Sequence, residues 1–183
     1  MIKRITSIII TMSLCLMSLT ACGNKMEDPV TIDNVNQSSV NVAIGFFQSI
    51  FTGDEELFEA CYPDYFKEYE NDDGETFDMQ ELFDRYVEAS DTSYTYLGAA
   101  LSAYNDYDEA HGYDFPALQA NIAMIQHTPL IDTATAAQIV KLRLNFQSDG
   151  GDRMTTDVYI LVYKTDTAWY VFELQNSDAE FAA

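Results

Sequence analysis

The two histidines and three cysteines of this chain are the residues that could hold a transition metal. His111 and His127 are too far apart for the His-x3-His spacing of zinc sites, and Cys61 is isolated from both. A structural zinc site needs four such ligands, and a catalytic one needs three. The sequence therefore predicts no bound metal and no other cofactor.

Calcium could bind the segment from Asn105 to Asp114, which is rich in hard oxygen ligands. An EF-hand register counted from Asp106 fails. Position 6 is His111 instead of glycine, and position 12 is Ala117 instead of glutamate. The segment 71–75 also lacks the alternate-residue spacing of a calcium loop. We expect weak calcium binding at most and no specific site.

Catalytic motifs are also missing from the sequence. Gly150 and Gly151 are followed by neither a helix pattern nor Gly-Lys-Ser/Thr, so they predict a turn and not a phosphate loop. Cys61 lies between Phe58 and Tyr62 at the spacing of a buried helix face, which predicts a packed thiol and not a nucleophile. No Gly-x-Ser-x-Gly elbow and no recognisable carboxylate pair is present. These patterns predict no catalytic residue.

The chain is strongly acidic, with 30 acidic and 9 basic residues and a formal charge of −21. Such a surface repels phosphate backbones, so nucleic acid is excluded as a partner. Its 183 residues, 48% of them hydrophobic, suit one globular domain with a real core.

The first 22 residues carry the strongest motif. Lys3 and Arg4 precede an apolar stretch of about 15 residues, Ile5 to Leu19, which is shorter than a membrane span of roughly 20. The stretch ends in Leu19-Thr20-Ala21-Cys22, which resembles the bacterial lipobox. The resemblance implies cleavage before Cys22 and attachment of a diacylglycerol to its sulfur. The alternative is an ordinary signal peptide with an incidental cysteine.

The predicted organisation follows from this motif. Residues 1–21 are a lipoprotein signal peptide, 22–37 a flexible tether, 38–177 a single domain and 178–183 a tail. The tether is polar and aperiodic, and at about 15 residues it would hold the domain some 20 Å from the lipid. The predicted location is the extracytoplasmic face of the cell membrane. A chain that begins at Cys22 keeps 7 basic residues and has a charge of −23.

The last third of the chain predicts three antiparallel strands. Alternate apolar residues from Val140 to Phe146 give the period of a half-buried strand. The segment 148–152 is a turn, a second alternating run covers 154–162, and a third runs from Trp169 to Gln175.

The segment before the strands is predicted to be helical. Apolar residues from Val40 to Phe51 recur at helical spacing, with Ser38 or Ser39 as a start and Gly53 as a stop. A short helix capped by Asp54 follows, and a third begins at Asp78 with a capping-box pattern. We assign 91–107 to a strand, although its alanines also favour a helix, and 114–127 to a helix. The fold class is therefore α+β: helices, strand, helix and a three-strand meander.

This order resembles the cystatin-like superfamily, which includes nuclear transport factor two and ketosteroid isomerase. More closely, it is similar to small bacterial lipoproteins with such a domain, most of them of unknown function. The residues that carry the likeness are Phe46-Phe47-Gln48-Ser49-Ile50-Phe51-Thr52-Gly53-Asp54 and Thr167-Ala168-Trp169-Tyr170-Val171. The resemblance implies a cone in which N-terminal helices pack on the concave face of a curved antiparallel sheet.

The same resemblance implies an alternative function. Cone-shaped domains of this superfamily can hold an acid–base group and a tyrosine donor in a cavity, as isomerases and dehydratases do. His127, Asp91, Tyr94 and Tyr96 would supply these groups. Against this, His127 precedes Thr128-Pro129, where a histidine at a helix end caps carbonyl groups.

Aromatic residues on both faces of the last two strands suggest a binding surface instead. Tyr159 and Tyr163 oppose an aliphatic face, while Trp169 and Val171 oppose Tyr170, Phe172 and Leu174. The simpler interpretation is a central strand covered on both sides, or a self-association surface. The binding hypothesis makes Tyr159, Tyr163 and Trp169, with Tyr94 and Tyr96, a platform for a protein, peptide, glycan or lipid group. An adaptor role would leave an exposed apolar patch around Tyr159, Tyr163 and Trp169.

The sequence thus predicts a membrane-anchored extracytoplasmic lipoprotein with a non-catalytic binding domain. A small cavity enzyme is the alternative.

Overall fold

The computed structural model describes residues 25–67, 78–90, 93–125 and 134–175. The predicted signal peptide, Cys22 and the tail 178–183 lie outside these ranges. The helices and strands are, in chain order, α1 (Ser39–Thr52), α2 (Glu55–Ala60), α3 (Asp64–Lys67), α4 (Met79–Ala89), β1 (Tyr94–Asp106), α5 (Phe115–Ile125), β2 (Ala136–Ser148), β3 (Arg153–Lys164) and β4 (Trp169–Gln175). Short 3-10 helices cover Val35–Gln37 and Glu109–His111.

The strands form a four-stranded antiparallel sheet in the order β1-β2-β3-β4. The α+β class and the order of helices, strand, helix and three-strand meander are therefore confirmed. The ambiguous segment 91–107 contains β1, in agreement with the strand assignment. Two register shifts interrupt the pairing of β1 with β2, between Tyr96 and Gly98 and between Leu101 and Ala103.

In β2 the apolar residues of the alternating pattern are buried, and the polar residues between them are not. Val140, Leu142 and Leu144 are fully buried against the helices, while Lys141 and Arg143 point to the other face and are partly exposed. In the register of the β2–β3 hairpin, Leu142 faces Val158 and Val140 faces Ile160, so the apolar residues of both strands share a face.

Local capping signals define the helices that cover this face. The Ser38 hydroxyl accepts a hydrogen bond from the Asn41 N–H, and Gly53 ends α1 in a left-handed conformation with φ 71°. The Asp54 and Asp78 carboxylates cap α2 and α4 in the same way. The helix α3 was not predicted, because its four residues are too few to show a period.

Aromatic packing joins these helices to one another. The ring of Phe46 in α1 is fully buried, with its centroid 5.6 Å from Phe58 of α2 and 5.2 Å from Tyr86 of α4. Such pairs contribute about 0.5–1.5 kcal/mol each beyond the area they bury. Phe46 is therefore the point where three helices meet over the sheet.

The second face of the sheet is covered by α5. Leu118 and Ile122 of α5 pack with Ile139, Leu161 and Tyr163 in a separate apolar cluster. The domain thus has helices on both faces of the sheet: α1, α2 and α4 on one and α5 on the other.

The prediction of a flexible tether over 22–37 is wrong for the part of it that the structure describes near the domain. Val30 and Val35 are 5% and 0% exposed and belong to the main core. The Glu27 N–H donates to the Ala99 carbonyl of β1 at 2.9 Å, and Val30 exchanges two hydrogen bonds with the Gln48 side chain. We call residues 27–37 the N-terminal strap.

The far end of the strap reaches the opposite edge of the sheet. The Asn36 side-chain amide donates to the carbonyl groups of Ala60 and Trp169, both at 2.9 Å. The strap therefore begins at β1, passes over α1 and ends at β4. Two buried valines in a polar segment have no helical or strand period, which is why the sequence pattern indicated a tether.

None of the helices in the described ranges has both the length and the apolar character needed to cross a bilayer.

The packing of the strap on α1 can be tested at Gly45. A Cβ added at Gly45 would lie 2.7 Å from Cγ2 of the buried Val35. We expect Gly45→Ala to lower the free energy of unfolding by about 1–3 kcal/mol, because the core would be overpacked. In a Val35→Ala background the same change should cost much less, because the opposing methyl group is gone. Urea denaturation of the four proteins in this cycle gives the measurement.

The sign of the Gly45→Ala effect distinguishes the two interpretations of the strap. A free tether would leave α1 uncovered at Gly45, and alanine would then stabilise the helix by about 1 kcal/mol. A stabilised Gly45→Ala protein would therefore contradict the packed strap.

Candidate functional site

The face of the sheet that carries α5 is divided into two parts. The part under α5 is apolar, whereas the rest is polar and open to solvent over the β2–β3 hairpin. Register places Arg143 opposite Asp157, Asn145 opposite Thr155 and Gln147 opposite Arg153. We call the following residues the polar sheet face: Lys141, Arg143, Asn145, Gln147, Arg153, Thr155 and Asp157.

A charge network lies at the centre of the polar sheet face. The Arg143 guanidinium donates to both oxygens of Asp157, with Nε–Oδ1 2.8 Å and Nη2–Oδ2 3.3 Å. Lys141 Nζ lies 3.3 Å from Asp157 Oδ2 and 4.9 Å from the centre of the Tyr159 ring. Both cations are thus held on the Asp157 carboxylate, and Lys141 is held on the face of the Tyr159 ring as well.

The network sets the protonation of Asp157. Partial burial raises the pKa of the carboxyl, but the hydrogen bonds from Arg143 and Lys141, together with their charges, more than offset it. The pKa of Asp157 is therefore lowered from its ordinary value. At neutral pH the centre of the polar sheet face holds two cations and one carboxylate, with Arg153 exposed beside them.

This arrangement suits recognition of a polar partner. Its side chains offer guanidinium, amide, hydroxyl and carboxylate groups on a continuously paired hairpin. Such groups bind carboxylates, peptide groups or sugar hydroxyls, and they do not favour an apolar ligand.

The structure buries two of the tyrosines proposed for binding. Tyr159 is 7% exposed and Tyr163 is 0% exposed, both in the cluster under α5. The exposed patch that an adaptor role predicted around these residues is therefore wrong for Tyr159 and Tyr163. Partner contact at either ring would require α5 to move.

The other three proposed binding residues lie on the opposite face. Tyr94 and Tyr96 of β1 and Trp169 of β4 are partly buried against the main core. Because β1 and β4 are the two edges of the sheet, Trp169 is separated from the two tyrosines by the width of the sheet. The five aromatic residues therefore do not form one platform.

One residue of β4 occupies the face opposite to its prediction. Leu174 packs against the main core, whereas Tyr170 and Phe172 pack with the cluster under α5. A register shift causes the difference, because Val162 pairs with Val171 while Leu161 pairs with Glu173. The register passes over Phe172, which is therefore one residue more on β4 than on β3. The residues after Phe172 point to the faces opposite to those that strict alternation predicts.

The residues proposed for acid–base chemistry are only partly described. His127 and Asp91 lie outside the described residues. The Tyr96 hydroxyl is buried, with no hydrogen-bond partner in the described part of the chain. Its ring stacks on Phe51 at 5.4 Å and meets Phe146 at 5.8 Å, and burial raises the pKa of the phenol.

Cys61 is a packed thiol, as predicted. Its side chain is fully buried, and Sγ lies 3.3 Å from the Leu57 carbonyl. Burial, and secondarily the charge of Asp54, raise the pKa of the Cys61 thiol far above its ordinary value. A protonated, enclosed sulfur is not a nucleophile.

The loop between β1 and α5, which carries the hard oxygen ligands, is held by internal contacts. Asp108 accepts hydrogen bonds from the His111 N–H at 3.1 Å and from its ring nitrogen at 2.7 Å. Tyr107 and Tyr113 stack with centroids 4.5 Å apart. Asp108 Oδ1 thus helps to close the loop.

An acidic hollow of about 650 Å³ lies where α1 meets α2, lined by Thr52, Gly53, Asp54, Glu55, Glu56 and Glu59. Asp54 Oδ1 already caps α2 by accepting from the Leu57 N–H. Across the described ranges, no group of three or more His, Cys, Asp or Glu side chains is placed to hold a metal ion.

Comparison of this chain with protein-family models, with curated proteins and with solved structures finds no match. The resemblance to cystatin-like lipoproteins stays a prediction.

The polar sheet face was not singled out from the sequence. The alternation of Lys141 and Arg143 with apolar residues indicated a solvent-facing side of one strand. Arg153 and Asp157 join that side only through the register of the hairpin. A register counted outward from the turn at Gly150 and Gly151 would have predicted which residues of β2 and β3 lie opposite each other.

Asp157→Asn tests the charge network. A carboxyl with a lowered folded-state pKa adds stability above its unfolded pKa of about 3.9, and this stability is lost as pH falls through the folded pKa. At pH 7 we expect the free energy of unfolding of the variant to be lower than that of the parent by about 1 kcal/mol or less, since the group is partly solvated. Between pH 4 and about pH 2.5 the free energy of unfolding should fall less in the variant than in the parent. Urea denaturation from pH 7 to about pH 2.5 measures both effects.

The matched control is Asp166→Asn, which removes an exposed carboxylate from the β3–β4 turn. Its pH dependence should follow that of the parent. If both variants showed the same slope below pH 4, the network would not set the protonation of Asp157.

Proposed function

We propose that this protein is a membrane-anchored extracytoplasmic lipoprotein whose domain binds a polar partner without catalysing a reaction. The observation that carries the non-catalytic part is the filled interface between the helices and the sheet. The anchor rests on the Leu19-Thr20-Ala21-Cys22 motif and the apolar stretch before it.

The filled interface lies where a cone-shaped enzyme would hold its substrate. Val42, Phe46 and Phe58 from the helices are fully buried, as are Leu142 and Leu144 from the sheet. Close-packed side chains of this kind leave no space for a ligand between these described helices and strands. Binding at an outer surface therefore fits this domain better than binding in a cavity.

A cystatin-like cone is part of the proposal. It is supported by the order of the elements and by the packing of α1, α2 and α4 on one face of the sheet. The helix α5 on the second face is a departure from an arrangement in which one face alone is covered.

The polar sheet face is the proposed binding surface. Three of the nine basic residues of this acidic chain, Lys141, Arg143 and Arg153, belong to it. A carboxylate-bearing peptide, protein or glycan would find arginine donors there, whereas acidic side chains dominate the exposed surface of α2.

A cavity enzyme is the second candidate, and the buried Tyr96 hydroxyl favours it. A neutral phenol that has no hydrogen-bond partner among the described residues can donate a hydrogen bond to a carbonyl oxygen. Phe51 and Phe146 enclose that ring, so a substrate would have to displace an aromatic side chain to reach it. The first proposal needs no such rearrangement.

Cys22→Ala tests the anchor. Bacterial cells that express the full chain and are grown with radioactive palmitate should label the parent and not the variant, because the thioether sulfur is lost. Cys15→Ala, a change within the predicted signal peptide, is the matched control and should keep the label. A Cys22→Ala protein that still incorporates palmitate would contradict the anchor.

Site-specific photocrosslinking tests the binding surface. A photoreactive residue at Thr155 on the polar sheet face should give discrete adducts in intact cells, while one at the exposed Gln80 of α4 should not. Arg153→Glu should lower the Thr155 yield by about tenfold, since a charge-assisted hydrogen bond contributes about 1.5–3 kcal/mol.

Arg85→Glu is the matched charge reversal, because Arg85 is exposed on α4. It should leave the adduct yield at Thr155 unchanged. Equal adducts at Thr155 and Gln80, or equal loss in the two arginine variants, would contradict the polar sheet face as the binding surface.

A further inference from the structure

We infer that the β1 edge of the domain, where Met26 and Leu97 are exposed, rests on the surface of the lipid bilayer. The inference builds on the proposed anchor at Cys22. It adds which side of the domain faces the membrane and leaves the polar sheet face directed elsewhere.

The argument begins with the length of the connection. The strap is hydrogen-bonded to the β1 edge of the sheet at Glu27, and five Cα-to-Cα steps join Glu27 to Cys22. Five steps span at most about 18 Å, and a flexible chain of that length has an r.m.s. span of about 12 Å. The docked strap therefore removes most of the tether that the sequence predicted.

The connection is short compared with the size of the domain, and this limits how the domain can be oriented on the membrane. A compact domain of about 150 residues has a radius of gyration near 15 Å and hence an outer radius of about 19 Å. A connection shorter than that radius cannot let the far side of the domain approach the lipid. At the r.m.s. span of about 12 Å, the side that carries Glu27 faces the bilayer.

The chemistry of that side fits lipid contact. Met26 is 49% exposed and Leu97 is 37% exposed, two of the four large apolar side chains that are exposed in the described ranges. Met26 Sδ lies 3.3 Å from the position that a Cβ on Gly98 would occupy, so Met26 lies against the strand that carries Leu97. Met26 directly precedes Glu27, whose N–H donates to the carbonyl of Ala99, two residues after Leu97.

The charges beside this apolar pair specify the kind of lipid. Lys25, Glu27 and Asp28 are exposed there, which leaves a local excess of negative charge. Contact should therefore be closest on zwitterionic phosphatidylcholine and weaker on membranes rich in anionic lipid.

The polar sheet face is then raised above the membrane. Its residues belong to β2 and β3, which lie one and two strands from the β1 edge. At about 4.8 Å per strand, they stand roughly 5–10 Å further from the lipid than β1 does. A partner could approach this face from the side.

Fluorescence quenching in vesicles tests the orientation. The lipidated full chain, labelled with an environment-sensitive fluorophore at Thr95→Cys of β1 or at Asp166→Cys of the β3–β4 turn, is reconstituted in phosphatidylcholine vesicles that contain brominated lipid. Both positions are exposed, and buried Cys61 provides the background labelling of the parent. We expect at least about twofold stronger quenching at Thr95→Cys, because β1 is nearer the lipid.

A longer connection provides the matched variant. About fifteen Gly and Ser residues inserted between Asn24 and Lys25 would raise the r.m.s. span to about 25 Å, beyond the radius of the domain. The difference in quenching between the two labels should then disappear. Replacing half of the phosphatidylcholine with phosphatidylglycerol should reduce quenching at Thr95→Cys in the unmodified chain.

The outcomes separate this inference from the proposed anchor. A parent protein that fails to float with the vesicles overturns the anchor and the orientation together. A protein that floats but shows equal quenching at the two labels, or the same difference after the insertion, overturns the orientation alone.

Discussion

The fold depends on the double-sided burial of β3. Five consecutive residues, Tyr159, Ile160, Leu161, Val162 and Tyr163, are each no more than 7% exposed. Because neighbouring side chains of a strand point to opposite faces, both faces of the sheet must be covered at this level. The helices α1, α2 and α4 cover one face and α5 covers the other. The polar side chains of the hairpin beyond Tyr159 are exposed or partly exposed, and they therefore remain available at the surface.

The N-terminal strap completes this arrangement. It places Val30 and Val35 on α1, where the absence of a side chain at Gly45 lets Val35 approach. Its two ends are hydrogen-bonded to opposite edges of the sheet, at Ala99 and at Trp169. The strap thus links the position of α1 to the position of both edge strands, although only two of its apolar side chains are buried.

Elements with a strong period or a cap were predictable from the sequence, and elements defined by tertiary contact were not. The apolar face of β2 and the caps at Ser38, Asp54 and Asp78 are local patterns, and the structure confirms them. The strap is an aperiodic segment whose burial depends on a groove made by residues far along the chain. The reversed face of Leu174 follows from a bulge that alternation alone does not reveal. The polar sheet face needed the pairing of two strands before its residues could be grouped.

The irregular path of β1 disfavours the pairing of this edge strand with the edge strand of a neighbouring copy. An edge strand of thirteen residues offers unpaired backbone groups to any neighbouring chain, which favours intermolecular sheets and aggregation. Here two register shifts interrupt the pairing of the strand, Gly98 adopts φ 139°, and the Glu27 N–H donates to the Ala99 carbonyl. In the proposed anchored state, neighbouring copies diffuse in two dimensions and meet often at a common height. Their β1 edges would be poor templates for one another, and the protein could accumulate on a membrane without forming fibrils.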